Sequence, residues 1–182
     1  MAIRNVKRLG EFRGTLVLVG AGKMGSAMLD GWLARGLDPK KIIVIEPQPV
    51  KALKALARRG VKLNPKDKVG VASAIVIAVK PQSAPEAVPP LARYVDKTTL
   101  VLSIMAGRTI GFLEKSLPTG TAIVRAMPNT PAAIGRGISV AVTNAIGASS
   151  GARRAADCAS RRAASCWPVA AAACARRISS SG

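Results

Sequence analysis

Two hydrophobic periods alternate along this chain. Short, unbroken aliphatic runs occur at residues 15–19 ("TLVLV"), 41–46 ("KIIVIE"), 74–79 ("AIVIAV"), 98–107 ("TTLVLSIMAG") and 121–126 ("TAIVRA"). Between them, apolar residues recur at helical spacing. Met24, Ala27, Met28, Gly31 and Trp32 share one helix face up to the stop at Gly36. The same reasoning predicts a helix over 49–59, capped by Gly60, and another across "TIGFLEKSLP" (109–118). Residues 81–95 read as a proline-rich helical connection, "VKLN" (61–64) as a brief extra strand and "GISVAVTN" (137–144) as a last one.

Strands that are apolar on both faces need cover on both sides, and alternation with helices supplies it. The pattern therefore predicts an α/β fold: a doubly wound, mainly parallel sheet over residues 14–144, preceded by an N-terminal extension at 1–13. The pattern breaks after Asn144. Residues 145–182 are mostly Ala, Ser, Arg, Cys and Gly, with poor helical amphipathicity, and read as an irregular, low-complexity tail. A GC-rich coding sequence read out of frame yields this composition, and a frameshift is the expectation for the segment.

Composition changes little in this picture. In 182 residues, 49% are hydrophobic and only 3% aromatic, so aliphatic packing must build the core. The formal net charge is +19 with no histidine. Such a balance points first to anionic partners. However, the basic residues scatter over predicted helix faces, and no basic stripe is interleaved with aromatics for base stacking, so no nucleic-acid partner is expected. Cys158, Cys166 and Cys174 all lie in the tail at a spacing that matches no zinc pattern, so neither a disulfide framework nor a metal site is expected in the main body. The basic start has no apolar signal core and no run reaches membrane-span length, so a cytoplasmic protein without membrane attachment is expected.

The chemistry concentrates where strands end. Gly20-Ala21-Gly22-Lys23-Met24-Gly25 fits G-x-G-x-x-G directly between a strand and a helix. In a Rossmann-type dinucleotide-binding domain, the first glycine makes the turn, the second lets a pyrophosphate approach, and the third lets helix and strand pack closely. The helix N-terminus then offers free N–H groups to the anion. Glu46 ends the second strand, 21 residues past Gly25, where an acid can accept hydrogen bonds from a ribose 2′-hydroxyl. Lys51 and its neighbours could still accommodate a 2′-phosphate, so NAD(H) and NADP(H) both stay open. Ala78, Val79, Lys80 and Pro81 close the next long strand, and Ile104, Met105 and Ala106 the one after, with small residues suited to a flat nicotinamide ring. Met127, Pro128, Asn129 and Thr130 follow the sixth strand. Their prolines stiffen a polar loop that could hold a reacting atom in register.

Taken together, "VGAGKMGSAMLDGWLARG", "AVKP", "SIMAG" and above all "RAMPNTPAAIGRG" resemble pyrroline-5-carboxylate reductase. The likeness runs over residues 14–144. It implies reduction of 1-pyrroline-5-carboxylate to proline with NADPH or NADH. The Gly20–Gly25 turn and Ala78–Pro81 would bind the dinucleotide, Ile104–Ala106 would line the ring, and Met127–Thr130 would meet ring and substrate. Glu46 falls where members of the family sort NADH from NADPH. The family also implies a helical C-terminal domain that forms the homo-oligomer and supplies the groups binding the substrate's carboxylate and imine. Nothing after Asn144 matches that domain, so no catalytic residue is assigned and impaired turnover is expected. The alternatives are a non-catalytic dinucleotide-binding fragment and a dehydrogenase of the β-hydroxyacid type, which would leave "MPNTP" without a reason.

Overall fold

The structure is a computed structural model that describes residues 12–67, 69–128 and 139–149. In chain order its elements are β1 (Leu16–Val19), α1 (Lys23–Ala34), β2 (Ile42–Ile45), α2 (Lys51–Arg58), β3 (Lys62–Leu63), β4 (Ala74–Ile77), α3 (Ala84–Ala87), β5 (Leu100–Ser103), α4 (Ile110–Ser116), β6 (Ala122–Pro128), β7 (Ser139–Thr143) and α5 (Ala145–Ser149). The seven strands form one sheet in the order β3-β2-β1-β4-β5-β6-β7. All pairs from β3 to β6 are parallel, and β7 runs antiparallel on β6, with Val124 opposite Thr143 and Pro128 opposite Ser139.

The sheet is covered on both faces, as its unbroken aliphatic strands require. One face packs Leu18, Val44, Val76 and Val124 against Leu29 and Trp32 of α1 and Leu53 of α2. The other packs Val19, Ile43, Ile75 and Val101 against Val88, Leu91 and Tyr94 and against Leu113 of α4. The fold is thus the doubly wound α/β class that the hydrophobic pattern predicts. Its strand order reverses between β1 and β4, the position at which such sheets open a crevice at their carboxyl edge.

The proline-rich connection departs from a simple helix. Residues 81–95 form a 3₁₀ turn at Pro81–Ser83, the four-residue α3, and a second 3₁₀ stretch at Pro89–Tyr94. Four prolines in that span lack the N–H that a continuous α-helical ladder needs, and short 3₁₀ turns tolerate the loss. Residues just outside 14–144 are also among those described. Phe12 is 2% exposed and belongs to the core beside Leu16 and Leu37, and the chain continues beyond Asn144 into α5. The remainder of the predicted extension (1–11) and of the tail (150–182) lies outside the described residues. Among the described residues no helix is long and apolar enough to cross a membrane.

Asp96 opens the turn into β5. Burial pushes its carboxyl up, but hydrogen bonds from Thr98 and Thr99 outweigh that and hold it below the ordinary carboxylate value. Because the folded value is the lower one, its stabilisation is present above the unfolded value and is lost as pH falls through the folded one. Asp96→Asn should therefore lower the urea midpoint at pH 7 by more than it does at acid pH, the deficit shrinking steadily as pH falls below the ordinary carboxylate value. An equal drop at pH 7 and at acid pH would rule this out.

Candidate functional site

The site is built where β1, β2 and β4 end together. Past β1 the backbone turns at Gly20, with φ +87, a conformation that side chains rarely adopt. The turn is held on both sides: Gly20 N–H donates to the Ile45 carbonyl at 2.8 Å, and Ala78 N–H donates to the Val19 carbonyl at 2.7 Å. A methyl group at Gly20 would lie 2.8 Å from the Ala78 carbonyl oxygen, and one at Gly25 would overlap the Gly20 carbonyl. Gly22 differs from both. A methyl there would meet nothing within 4 Å. Gly22 is the N-cap of α1, no side chain caps the helix, and its first turn has no acid. Orphan N–H groups at such a terminus can receive an anion. The three glycines thus differ in kind: Gly20 and Gly25 have no room for a side chain, and Gly22 has open space around it.

A cleft of about 700 Å³ opens beside this turn. Of the residues singled out from the sequence, Gly20, Gly22, Glu46, Ala78, Val79 and Lys80 line it. The lining also includes Glu86, Pro90, Leu91, Arg93 and Tyr94, none of which carries a sequence signal. The Arg93 guanidinium lies 4.6 Å from the centroid of the Tyr94 ring and donates to its hydroxyl at 2.6 Å.

Glu46 is half-buried, and both carboxylate oxygens are engaged. One accepts from the Ala21 N–H of the glycine turn at 2.8 Å, the other from the Gln48 N–H at 3.1 Å. Its main chain is fixed by Asn64, whose amide accepts from Glu46 N–H and donates to the Glu46 carbonyl, both at 2.8 Å. Asn64 has φ +45, the left-handed region that asparagine tolerates better than most residues.

Among the described residues, Pro81, Ile104–Ala106, Met127 and Pro128 follow or end strands of the same sheet but do not line the cleft. Arg108 donates to the Pro81 carbonyl through Nε at 2.9 Å and Nη2 at 2.8 Å, which ties the β5–α4 loop to the loop after β4. Arg125 on β6 donates to the Met105 carbonyl at 3.3 Å. Neither arginine stood out in the sequence, because each acts on a carbonyl 20 or more residues away. The Met105 side chain is 2% exposed and belongs to the core, so only its main chain is available at the edge, between exposed Ala106 and partly buried Ile104. Met127 is 43% exposed at the end of β6, followed by Pro128. Asn129 and Thr130 lie outside the described residues.

Similarities to known proteins fall on this same part of the chain. Pyrroline-5-carboxylate reductase of Pasteurella multocida is 34% identical over 131 residues, covering 69% of this chain and 47% of that protein. Pyrroline-5-carboxylate reductase 3 of Danio rerio is 34% identical over 115 residues, covering 62% and 40%. Among solved structures, a pyrroline-5-carboxylate reductase from Coxiella burnetii superposes with a TM-score of 0.63 at 29% identity, covering 73% of this chain and 50% of that one. Pyrroline carboxylate reductase of Plasmodium falciparum, with NADP bound, gives a TM-score of 0.58 at 25% identity over 74% and 49%. The chain spans about half the length of the curated relatives it matches. Residues 15–107, from the start of the first strand through the "SIMAG" loop, match the family described as NADP oxidoreductase, coenzyme F420-dependent, and the chain belongs to that family.

Proposed function

We propose that the chain carries the dinucleotide-binding half of a pyrroline-5-carboxylate reductase. The observation that carries this reading is the open position at Gly22, between two glycines closed to any side chain, at an uncapped helix terminus beside a cleft. Residues Gly20–Gly25 and Ala78–Pro81 would hold the diphosphate and adjoining ribose, and the main chain of Ile104–Ala106 would face the nicotinamide. A reduced nicotinamide bound there supplies a hydride to the imine carbon of 1-pyrroline-5-carboxylate.

This chain's own residues act by placement. Arg108 and Arg125 fix the loops after β4 and β5 relative to one another, so that edge is set before any ligand arrives. Met127 and Pro128 stand at the end of β6, on the side where the imine would lie against the ring. A protonated imine takes hydride directly at carbon, so the absence of histidine is no obstacle. The substrate's carboxylate would be met by the helical domain that the family likeness implies. For residues 1–182 taken by themselves, the expectation is therefore cofactor binding with weak turnover.

The test is a titration with NADH and NADPH, followed by nicotinamide fluorescence, together with absorbance at 340 nm after 1-pyrroline-5-carboxylate is added. Binding of a dinucleotide with slow, imine-dependent oxidation is the expected result. A folded chain that binds neither dinucleotide, or that oxidises one only with a hydroxyacid partner, would overturn the proposal.

A further inference from the structure

The family is one of NADP oxidoreductases, and the Plasmodium falciparum relative was solved with NADP. The geometry around Glu46 points the other way. We infer that Asn64 and Glu46 form a clamp that makes this cleft selective for a dinucleotide with a free ribose 2′-hydroxyl, NAD(H), over one carrying a 2′-phosphate. The inference rests on the proposed function, since it names which dinucleotide that cleft takes.

Glu46 stands in the cleft wall next to Gly20 and Gly22, where the ribose joined to a diphosphate on the glycine turn would lie. The Ala21 and Gln48 N–H groups each occupy one carboxylate oxygen, and each oxygen keeps a further lone pair for a hydroxyl donor. A 2′-phosphate has no such use for it. It brings a charge of about −1.5 to −2 against a fixed carboxylate and, as a dianion, has no proton to donate.

The carboxylate is not free to swing aside. Turning it out would break both backbone bonds, and the main chain cannot move with it because Asn64 holds both its N–H and its carbonyl. Asn64 is in turn anchored by its own N–H to the Val44 carbonyl at 2.8 Å, so the clamp is seated on β2 itself. Lys51, the cation that the sequence leaves open for a 2′-phosphate, is exposed at the start of α2 and does not line the cleft. Arg93 is committed to the Tyr94 ring and hydroxyl and reaches the Pro65 carbonyl at 3.4 Å. Lys80 follows β4, across β1 from the strand that Glu46 ends. The chain's net charge of +19 favours the more anionic NADPH everywhere on the surface, but at about 0.15 M salt that field is screened beyond about 8 Å. The local carboxylate then decides.

The experiment uses the full 182-residue chain at about 0.15 M salt. Dissociation constants are measured for NADH and NADPH, and for ADP-ribose and its 2′-phosphate, which probe the adenosine half alone. The wild-type chain is expected to bind the 2′-hydroxyl member of each pair at least about tenfold tighter, the ratio that about 1.4 kcal/mol gives. Glu46→Gln keeps an oxygen for the Ala21 N–H and removes the charge, and should bring the ratio close to one. Asn64→Gly keeps the left-handed backbone accessible while removing the clamp, and should lower the ratio at least about threefold with the carboxylate still present. Thermal midpoints taken in parallel separate this from loss of fold, because general destabilisation weakens both ligands and leaves their ratio unchanged. Equal or tighter binding of the 2′-phosphates by the wild-type chain would overturn the inference, as would a ratio unmoved in Glu46→Gln. An unmoved ratio in Asn64→Gly would remove Asn64 from it. A folded chain that binds none of the four probes would instead defeat the proposed function itself.

Discussion

Gly25→Ala is expected to destabilise the chain by about 3 kcal/mol and to abolish dinucleotide binding. The added methyl would overlap the Gly20 carbonyl, which is backbone and cannot rotate away as a flexible side chain could. Relief requires α1 to move off the sheet or the turn to open. Overpacking of this kind costs about 1–3 kcal/mol, sometimes more, and single domains have only about 5–15 kcal/mol to lose. Gly22→Ala is the contrasting case. That residue has φ −67, and its added methyl meets no atom within 4 Å, so the thermal midpoint should stay within about 2 °C of wild type. Affinity for NADH should nevertheless fall about tenfold or more, because the methyl projects into the space an anion must enter. Circular dichroism melts and NADH titrations of the two variants separate the effects. If Gly22→Ala binds as wild type does, the anion does not sit there.

Asn144→Ala should cost a similar amount, about 3 kcal/mol, at the other end of the sheet. Asn144 is 8% exposed and all of its amide is used. Its oxygen accepts from Ile123 N–H at 3.1 Å and Gly147 N–H at 2.8 Å, and its nitrogen donates to the Thr121 carbonyl at 3.0 Å and to Glu114 at 3.1 Å. One side chain thus joins β6, α4 and the start of α5. Alanine would leave the Ile123 N–H, on a strand residue with no exposed surface, without an acceptor. An unpaired buried donor alone costs about 1–3 kcal/mol, and the lost bond to a charged carboxylate adds to it. Urea unfolding followed by far-ultraviolet circular dichroism measures the loss. A change below about 0.5 kcal/mol would place Asn144 among ordinary surface substitutions.

The elements were legible to the extent that their causes are local. Unbroken aliphatic runs give β1, β2, β4, β5 and β6 because a strand covered on both faces has no polar side to show. Gly36 and Gly60 mark the ends of α1 and α2, and the glycine turn declared itself because its conformation and clearances exclude other residues. The proline-rich connection was read as helical and is so in three short pieces, since proline density decides whether one ladder can continue. Asn144 marked only the end of the hydrophobic pattern in the sequence; its four amide bonds to β6, α4 and α5 join segments distant along the chain.

The candidate site divides along the same line. The sequence by itself determined that a glycine turn would follow the first strand and that Glu46 would end the second strand beside it, because spacing along one β-α-β unit is set by the chain's own geometry. Only the tertiary structure decided what Glu46 is bonded to, that Arg93 and Tyr94 join the cleft lining, that Met105 turns its side chain into the core, and that Arg108 and Arg125 tie neighbouring loops. Each of these joins segments far apart in sequence through a parallel sheet, where adjacent strands are separated by whole crossover connections. Which carbonyl meets which guanidinium is then fixed by register and packing, and neither is written in the spacing of residues along the chain.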